Sequence, residues 1–486
     1  MKSKNIKLTG LIFACAVMSA CSNSDVSSTS PNNGTASKGE ADFTNYVAVG
    51  DSLTAGYTDG ALYLLGQTNS YPAILAQQFA AVGGGAFEQP LVGDNQGGLL
   101  FNGNPNPAFD NRLVLSTVTQ TPERLPGAPT TEVIGSGLNG MTFNNMGVPG
   151  AKSFHLLVPG FGNPGNLPAA ANPYFIRFSS DLASNALTLM DDVAAQIPSF
   201  FTLWIGNNDV LDYATSGGDG SALITPTAIF DDAYAGIVGT MTAANPAAKG
   251  VLINIPDVST IPFFTTVPYN PIPMDQAQAD AANAGYVAYN AGIAQALAAA
   301  PDEVAQRTIT FVAGQNAVVI EDEDLTDLTG AGLPNIRQAT ASDLIVLPAS
   351  AIIGTEKVPG DPASVIGVGV ALEDGDVLIP SEIQAVATAT LAYNTTIEDA
   401  ASANANLVFF DAAAVMAQLN ESGINFGTGS INADFATGGA FGLDGVHPTG
   451  RGYAVVANNI INVINTGFNA NVFQVDPAAF PAIFLK

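Results

Sequence analysis

Five short apolar runs, far apart in a chain of 486 residues, constrain the fold more than any other feature of the sequence. They are Tyr46–Gly50, Met141–Asn145, Phe200–Ile205, Val251–Ile255 and Leu407–Asp411. Each is too short for a helix of ordinary length. Four of them lack the apolar–polar alternation of a strand with one wet face, the pattern expected where both faces of a parallel sheet are covered. Helical spacing lies between and after them. Pro72–Phe79 follows the first run, Asp275–Ala299 is long and Ala-rich, and Ser381–Ala403 opens with Ser381 and Gln384 at capping-box spacing. Near the end, Tyr453, Val456, Ala457, Ile460, Ile461 and Ile464 mark one helix face, and Gly467 is expected to stop it. Strands alternating with helices predict a layered α/β domain over residues 43–486.

Three stretches exceed what a minimal sheet needs. Residues 83–135 and 155–180 are rich in Gly, Pro and Asn and read as long loops. Residues 315–380 carry β-type patterning at Leu344–Leu347, Val365–Leu372 and Val377–Ile379 and read as a β-rich insertion. The acidic run Glu321–Asp327 within it matches no calcium-loop pattern. It reads as a solvated face, and no metal site is expected.

The N-terminus reads as a targeting segment rather than as fold. Lys2, Lys4 and Lys7 precede an apolar stretch, Leu8–Val17, that is short for a bilayer span. Ser19 and Ala20 then precede Cys21. Residues 1–20 resemble a bacterial lipoprotein signal peptide, which implies lipidation at Cys21 and attachment to a membrane of the cell envelope. Ser22, rather than Asp, points by the same analogy to the outer membrane or cell surface. Residues 21–42 are mostly small and polar and read as a flexible tether. Cys15 and Cys21 are the two cysteines of the chain, so a mature form would have neither an internal disulfide nor a Cys metal site. A net charge of −28 repels phosphate backbones and argues against a nucleic-acid partner.

Candidate chemistry sits at the ends of the apolar runs. Gly50–Asp51–Ser52–Leu53 directly follows the first, where α/β folds place ligands. Serine is a poor nucleophile until a base takes its proton, and the usual base is a histidine oriented by a carboxylate. Asp444–Gly445–Val446–His447 supplies both, three residues apart in a Gly/Pro-flanked loop. The chain has two histidines. The other, His155, has no acid beside it and reads as a loop or pocket-wall residue. A developing oxyanion needs donors. Asn145–Met146–Gly147–Val148–Pro149–Gly150 offers a glycine N–H, Gly150 ahead of Gly147. Gly206–Asn207–Asn208–Asp209 offers the Asn208 amide. Asp51 and Asp209 read as loop-holding side chains.

In this order the four strings resemble the GDSL or SGNH hydrolases, over roughly residues 43–467 with interruptions. The resemblance implies a three-layer, flavodoxin-like fold around a parallel sheet and a serine esterase or lipase that needs no cofactor. It implies Ser52 as nucleophile, Asp444 and His447 as its partners, and Gly150 and Asn208 as oxyanion donors. Leu156, Leu157, Val158, Phe161, Tyr174 and Phe175 are expected either to line an acyl pocket or to anchor their loop to the core. The substrate is expected to be a lipid or another acyl ester. A carbohydrate O-acetylesterase and a non-catalytic surface protein that binds glycan or lipid are the alternatives.

Overall fold

The computed structural model describes residues 34–486. Cys21, the leader and most of the tether lie outside the described residues. Among the described residues no helix is long and apolar enough to cross a membrane.

The centre is a sheet of five parallel strands: β1 (Tyr46–Gly50), β2 (Asn145–Gly147), β3 (Phe200–Trp204), β4 (Lys249–Ile253) and β5 (Leu407–Phe410). Their spatial order is β5-β4-β3-β1-β2. This is the doubly wound, flavodoxin-like order, with β1 and β3 side by side at the point where the winding reverses. Register aligns the strand ends that matter, because Gly50 lies opposite both Trp204 and Gly147. Four strands fall within two residues of the apolar runs. The fifth lies further along, because Met141 is 54% exposed while Asn145 and Met146 are buried. Buried polar residues hid this strand. The Asn145 amide donates to the Thr54 carbonyl at 2.9 Å and to Gln89 Oε1 at 3.1 Å, so it is paid for by hydrogen bonds.

Helices cover both faces. The labelled ones are α1 (Ser52–Ala55), α2 (Tyr71–Ala80), α3 (Asn208–Thr215), α4 (Thr227–Ala244), α5 (Gln276–Ala296), α6 (Pro380–Ser402), α7 (Ala412–Glu421) and α8 (Gly450–Gly467). Successive strand side chains point to opposite faces. Tyr46, Ala48, Phe200, Trp204, Val251 and Ile253 pack under α2 and α8, in one core with Ile74, Phe79, Tyr453 and Ile461. Val47, Val49, Phe201, Leu203 and Leu252 face the other way, into a larger core with Phe230, Tyr234 and Ile237 of α4 and Val386, Tyr393 and Ile397 of α6. The result is three layers. Helix α6 begins one residue before the sequence reading. Pro380 occupies its first turn, and Glu382, not Gln384, reaches back to accept the Ile379 N–H at 2.8 Å.

Residues 315–380 hold less strand than their patterning suggests. Two short antiparallel ladders form wholly within it, Val319–Glu321 with Ile336–Gln338 and Leu344–Ile345 with Val377–Leu378, and Gly314–Asn316 at its edge pairs with Ile272–Met274. Val365–Leu372 is a turn instead, because Gly367 adopts φ 81° and its N–H bonds to the Val370 carbonyl at 2.7 Å. Val318, Ile320, Ile345, Leu372 and Val377 of this segment share the core that contains Val47 and Leu203. The acidic run is also not wholly a solvated face. Asp322 is buried against Arg337, whose guanidinium makes two 2.7 Å bonds to Asp343.

Candidate active site

Ser52 stands at the carboxyl end of β1, on the first turn of α1, and is 7% exposed. Gly50 makes the close turn possible. A Cβ there would lie 2.2 Å from both Thr54 Oγ1 and the Trp204 carbonyl, so a side chain would push the serine strand off β3. Asp51 caps α1 by accepting the Leu53 N–H at 2.9 Å. Its other oxygen accepts from Asn207 Nδ2 at 2.9 Å and so joins the first motif to the third. Burial pushes its carboxyl up to about 6, against the pull of those two hydrogen bonds.

The loop before α8 brings Asp444 and His447 to the same strand end. His447 Nε2 lies 2.9 Å from Ser52 Oγ, and Nδ1 lies 3.0 Å from Asp444 Oδ2. The three-residue spacing works because Asp444 Oδ1 also accepts the Val446 and His447 N–H groups, both at 2.9 Å, which curls the loop around the carboxylate. The Gly60 N–H donates to Oδ2 at 2.7 Å. Burial pushes the Asp444 carboxyl up, but the His447 charge and these hydrogen bonds outweigh it and hold the group below its ordinary value. The Tyr57 ring packs 4.7 Å from the imidazole and covers it.

One contributor escaped the sequence reading. Asp59, buried in the left-handed region at φ 51°, accepts the Leu443 N–H at 2.8 Å and the Tyr63 hydroxyl at 2.7 Å. The Asp59–Gly60 turn thus clamps Leu443 and Asp444 together. The dipeptide is a turn signal, but the partner it holds is 384 residues away along the chain. Burial raises the Asp59 carboxyl to about 6.

The two glycines of the second motif differ in surroundings. Gly147 is packed in β2, where a Cβ would lie 2.3 Å from the Ala55 nitrogen. Gly150 has φ 77°, and a Cβ on it would meet only Asn172 Nδ2 at 3.9 Å, so its backbone faces open space. Asn172 Nδ2 holds the preceding Pro149 carbonyl at 2.8 Å. From the third motif, Asn208 Nδ2 donates to the Ala151 carbonyl at 2.9 Å, which leaves its second amide hydrogen for another acceptor. Asp209 accepts the Ser153 N–H and hydroxyl, both at 2.8 Å. Asp51 and Asp209 therefore hold loops, as their positions in the sequence suggest.

His155 stands apart from these contacts. Its Nδ1 accepts the Lys152 N–H at 3.0 Å, and its ring stacks on Phe161. Burial, aided by the Lys152 charge, lowers it to about 4 and keeps it neutral.

Beside Ser52 and His447 lies an apolar cavity of about 110 Å³ that opens to solvent. Leu211, Ile261, Phe410, Met416, Leu419 and Val455 are among its walls. They come from α3, the segment after β4, the end of β5, α7 and α8, not from the loop after the second motif. Leu156, Phe161 and Phe175 of that loop are buried in the main core, and Tyr174 packs edge-on against Tyr57. None of the six residues named for an acyl pocket lines this cavity. The loop is anchored to the core, and the apolar room is made by residues that follow it in the chain, from Leu211 to Val455.

No protein-family model matches the chain, and neither a curated protein nor a solved structure matches it.

Proposed function

We propose that this protein is a serine hydrolase that cleaves carboxylic esters through an acyl-enzyme, and that it belongs with the SGNH hydrolases. The observation that carries the proposal is the hydrogen-bonded chain Ser52–His447–Asp444 at the carboxyl end of β1. A base within 2.9 Å of a serine hydroxyl, itself backed by an ionised carboxylate, is what an unreactive alcohol needs to attack a carbonyl.

His447 Nε2 takes the Ser52 proton as Oγ bonds to the carbonyl carbon. Asp444 accepts from Nδ1–H, which fixes the tautomer and stabilises the imidazolium. The tetrahedral oxyanion is held by the Ser52 and Gly150 N–H groups and the Asn208 amide. The C–O bond to the alcohol breaks, and that oxygen leaves with the proton from Nε2. Water, deprotonated by His447, then attacks the acyl carbon. Ser52 leaves as an alcohol and the carboxylic acid is released.

The apolar walls of the cavity favour an acyl chain over an acetyl group on a sugar, because a hydrated saccharide would lose its hydrogen bonds there. This ranks a lipid or other acyl ester above the carbohydrate O-acetylesterase reading. A binding protein without catalysis has no use for an oriented base beside a serine. Anchoring in the bacterial envelope through a lipid on Cys21 belongs to the same proposal and rests on the leader-like residues 1–20.

Hydrolysis of p-nitrophenyl esters tests the reading. Ser52→Ala is expected to lower kcat by on the order of a thousandfold or more with the fold intact. A purified Ser52→Ala protein with the wild-type rate would remove the nucleophile.

A further inference from the structure

Three carboxylates converge where the 315–380 segment closes on α6. Glu323 comes from the acidic run, Asp374 from the turn before Val377, and Glu382 from the first turn of α6. One oxygen of each lies within 4.8 Å of the others. Among the described residues no Lys, Arg or His forms an ion pair with any of the three. Three ionised carboxylates so close together repel one another and need a counter-charge.

Glu382 points to what supplies that charge. It is 4% exposed, and its Oε2 accepts the Ile379 N–H at 2.8 Å. Its Oε1 is buried and meets no N–H or hydroxyl donor, and the polar group beside Glu382 is the Glu323 carboxyl of the same cluster. An orphaned buried carboxylate oxygen is costly, and natural proteins rarely leave one unless an ion, a proton or a water completes it. Gly218 leaves it room, since a Cβ there would fall 1.6 Å from Oε1.

We propose that Glu323, Asp374 and Glu382 bind a divalent cation of the calcium type, which staples the two ends of the 315–380 segment to the start of α6. The donor set is all hard oxygen, which excludes a preference for soft metals. Ca–O bonds of about 2.3–2.6 Å allow oxygens on opposite sides of one ion to stand up to about 5 Å apart, whereas Mg–O bonds of about 2.0–2.1 Å draw them closer. The site departs from the reading of Glu321–Asp327 as a solvated face without metal. It does not depend on the ester chemistry, and its tests do not use activity.

The full chain, freed of metal with EGTA, is titrated with CaCl2 or MgCl2, followed by calorimetry and by Tm. Calcium is expected to bind with one site and to raise Tm by about 3 °C at a hundredfold excess over its Kd. Glu382→Gln keeps an oxygen for the Ile379 N–H and offers an amide to the neighbouring carboxylates, so it is expected to fold and to lose the calcium response by tenfold or more in affinity. Glu323→Gln, at an exposed position, repeats the test without disturbing the helix start. Absence of any heat or Tm shift in the wild type would overturn the site, leaving a shared proton as the counter-charge. A calcium response unchanged in both variants would place the ion elsewhere and overturn it equally. Magnesium binding as tight as calcium would overturn the choice of ion.

Discussion

If the cavity beside Ser52 receives the acyl chain, rate should grow with chain length until the cavity is full. Each buried methylene is worth about 0.8 kcal/mol, or roughly fourfold in kcat/KM while the chain still enters apolar space. Ala412, the first residue of α7, lines that space and is buried. Ala412→Leu adds three carbons to the wall without removing a hydrogen bond, and leucine is a good helix former. It should displace about two methylenes of substrate, which costs about 1.6 kcal/mol, or roughly fifteenfold, for esters long enough to reach it. Acetate should be unaffected. The assay is kcat/KM for p-nitrophenyl acetate, butyrate, hexanoate, octanoate and decanoate, in both proteins, with Tm as a check on folding. A wild-type series flat from acetate to decanoate would refute the assignment. So would a variant whose acetate and decanoate rates fall together.

Two further substitutions test the framework around the histidine. In Asp444→Asn the amide would meet the Gly60 N–H, donor against donor, and would favour the wrong imidazole tautomer. A fall in kcat of about ten-thousandfold is expected, and a loss under tenfold would contradict the orienting role. Asp59→Asn keeps an acceptor for the Leu443 N–H and tolerates the left-handed backbone. The folded Asp59 carboxyl is raised to about 6 from 3.8, so the charged form costs stability above pH 6, and that cost fades as pH falls from 6 toward 4. The variant should therefore be more stable than wild type by about 1–3 kcal/mol at pH 7.5 in urea unfolding, with the gap closing by pH 4. A gap that widens toward acid would reverse the sign of the argument.

The sheet was readable from the sequence where its strands are apolar on both faces, as at Val47–Val49 and Phe200–Leu203. It was misplaced at Asn145, where hydrogen bonds replace hydrophobic burial. The grouping of Ser52, His447 and Asp444 was readable because each motif carries its own local chemistry. Asp444 closes a turn onto His447 through contacts only three residues long. The Asp59 clamp was not readable, because its purpose lies in a partner at the other end of the chain. Nor was the cavity. Met416, Leu419 and Val455 have the spacing of ordinary core residues, and only the packing of α7 and α8 shows that they leave room beside Ser52. In the 315–380 segment, apolar residues at strand-like spacing serve turns such as the one at Gly367, because burial against an existing core does not require a ladder.

The central claim is that Ser52 is a nucleophile activated by His447, and a fluorophosphonate tests it most directly. Intact-mass and peptide mass spectrometry of the treated protein should show one phosphonyl adduct on Ser52, lost in Ser52→Ala and strongly slowed in His447→Ala. A folded wild-type protein that stays unmodified, or an adduct on another residue, would contradict it.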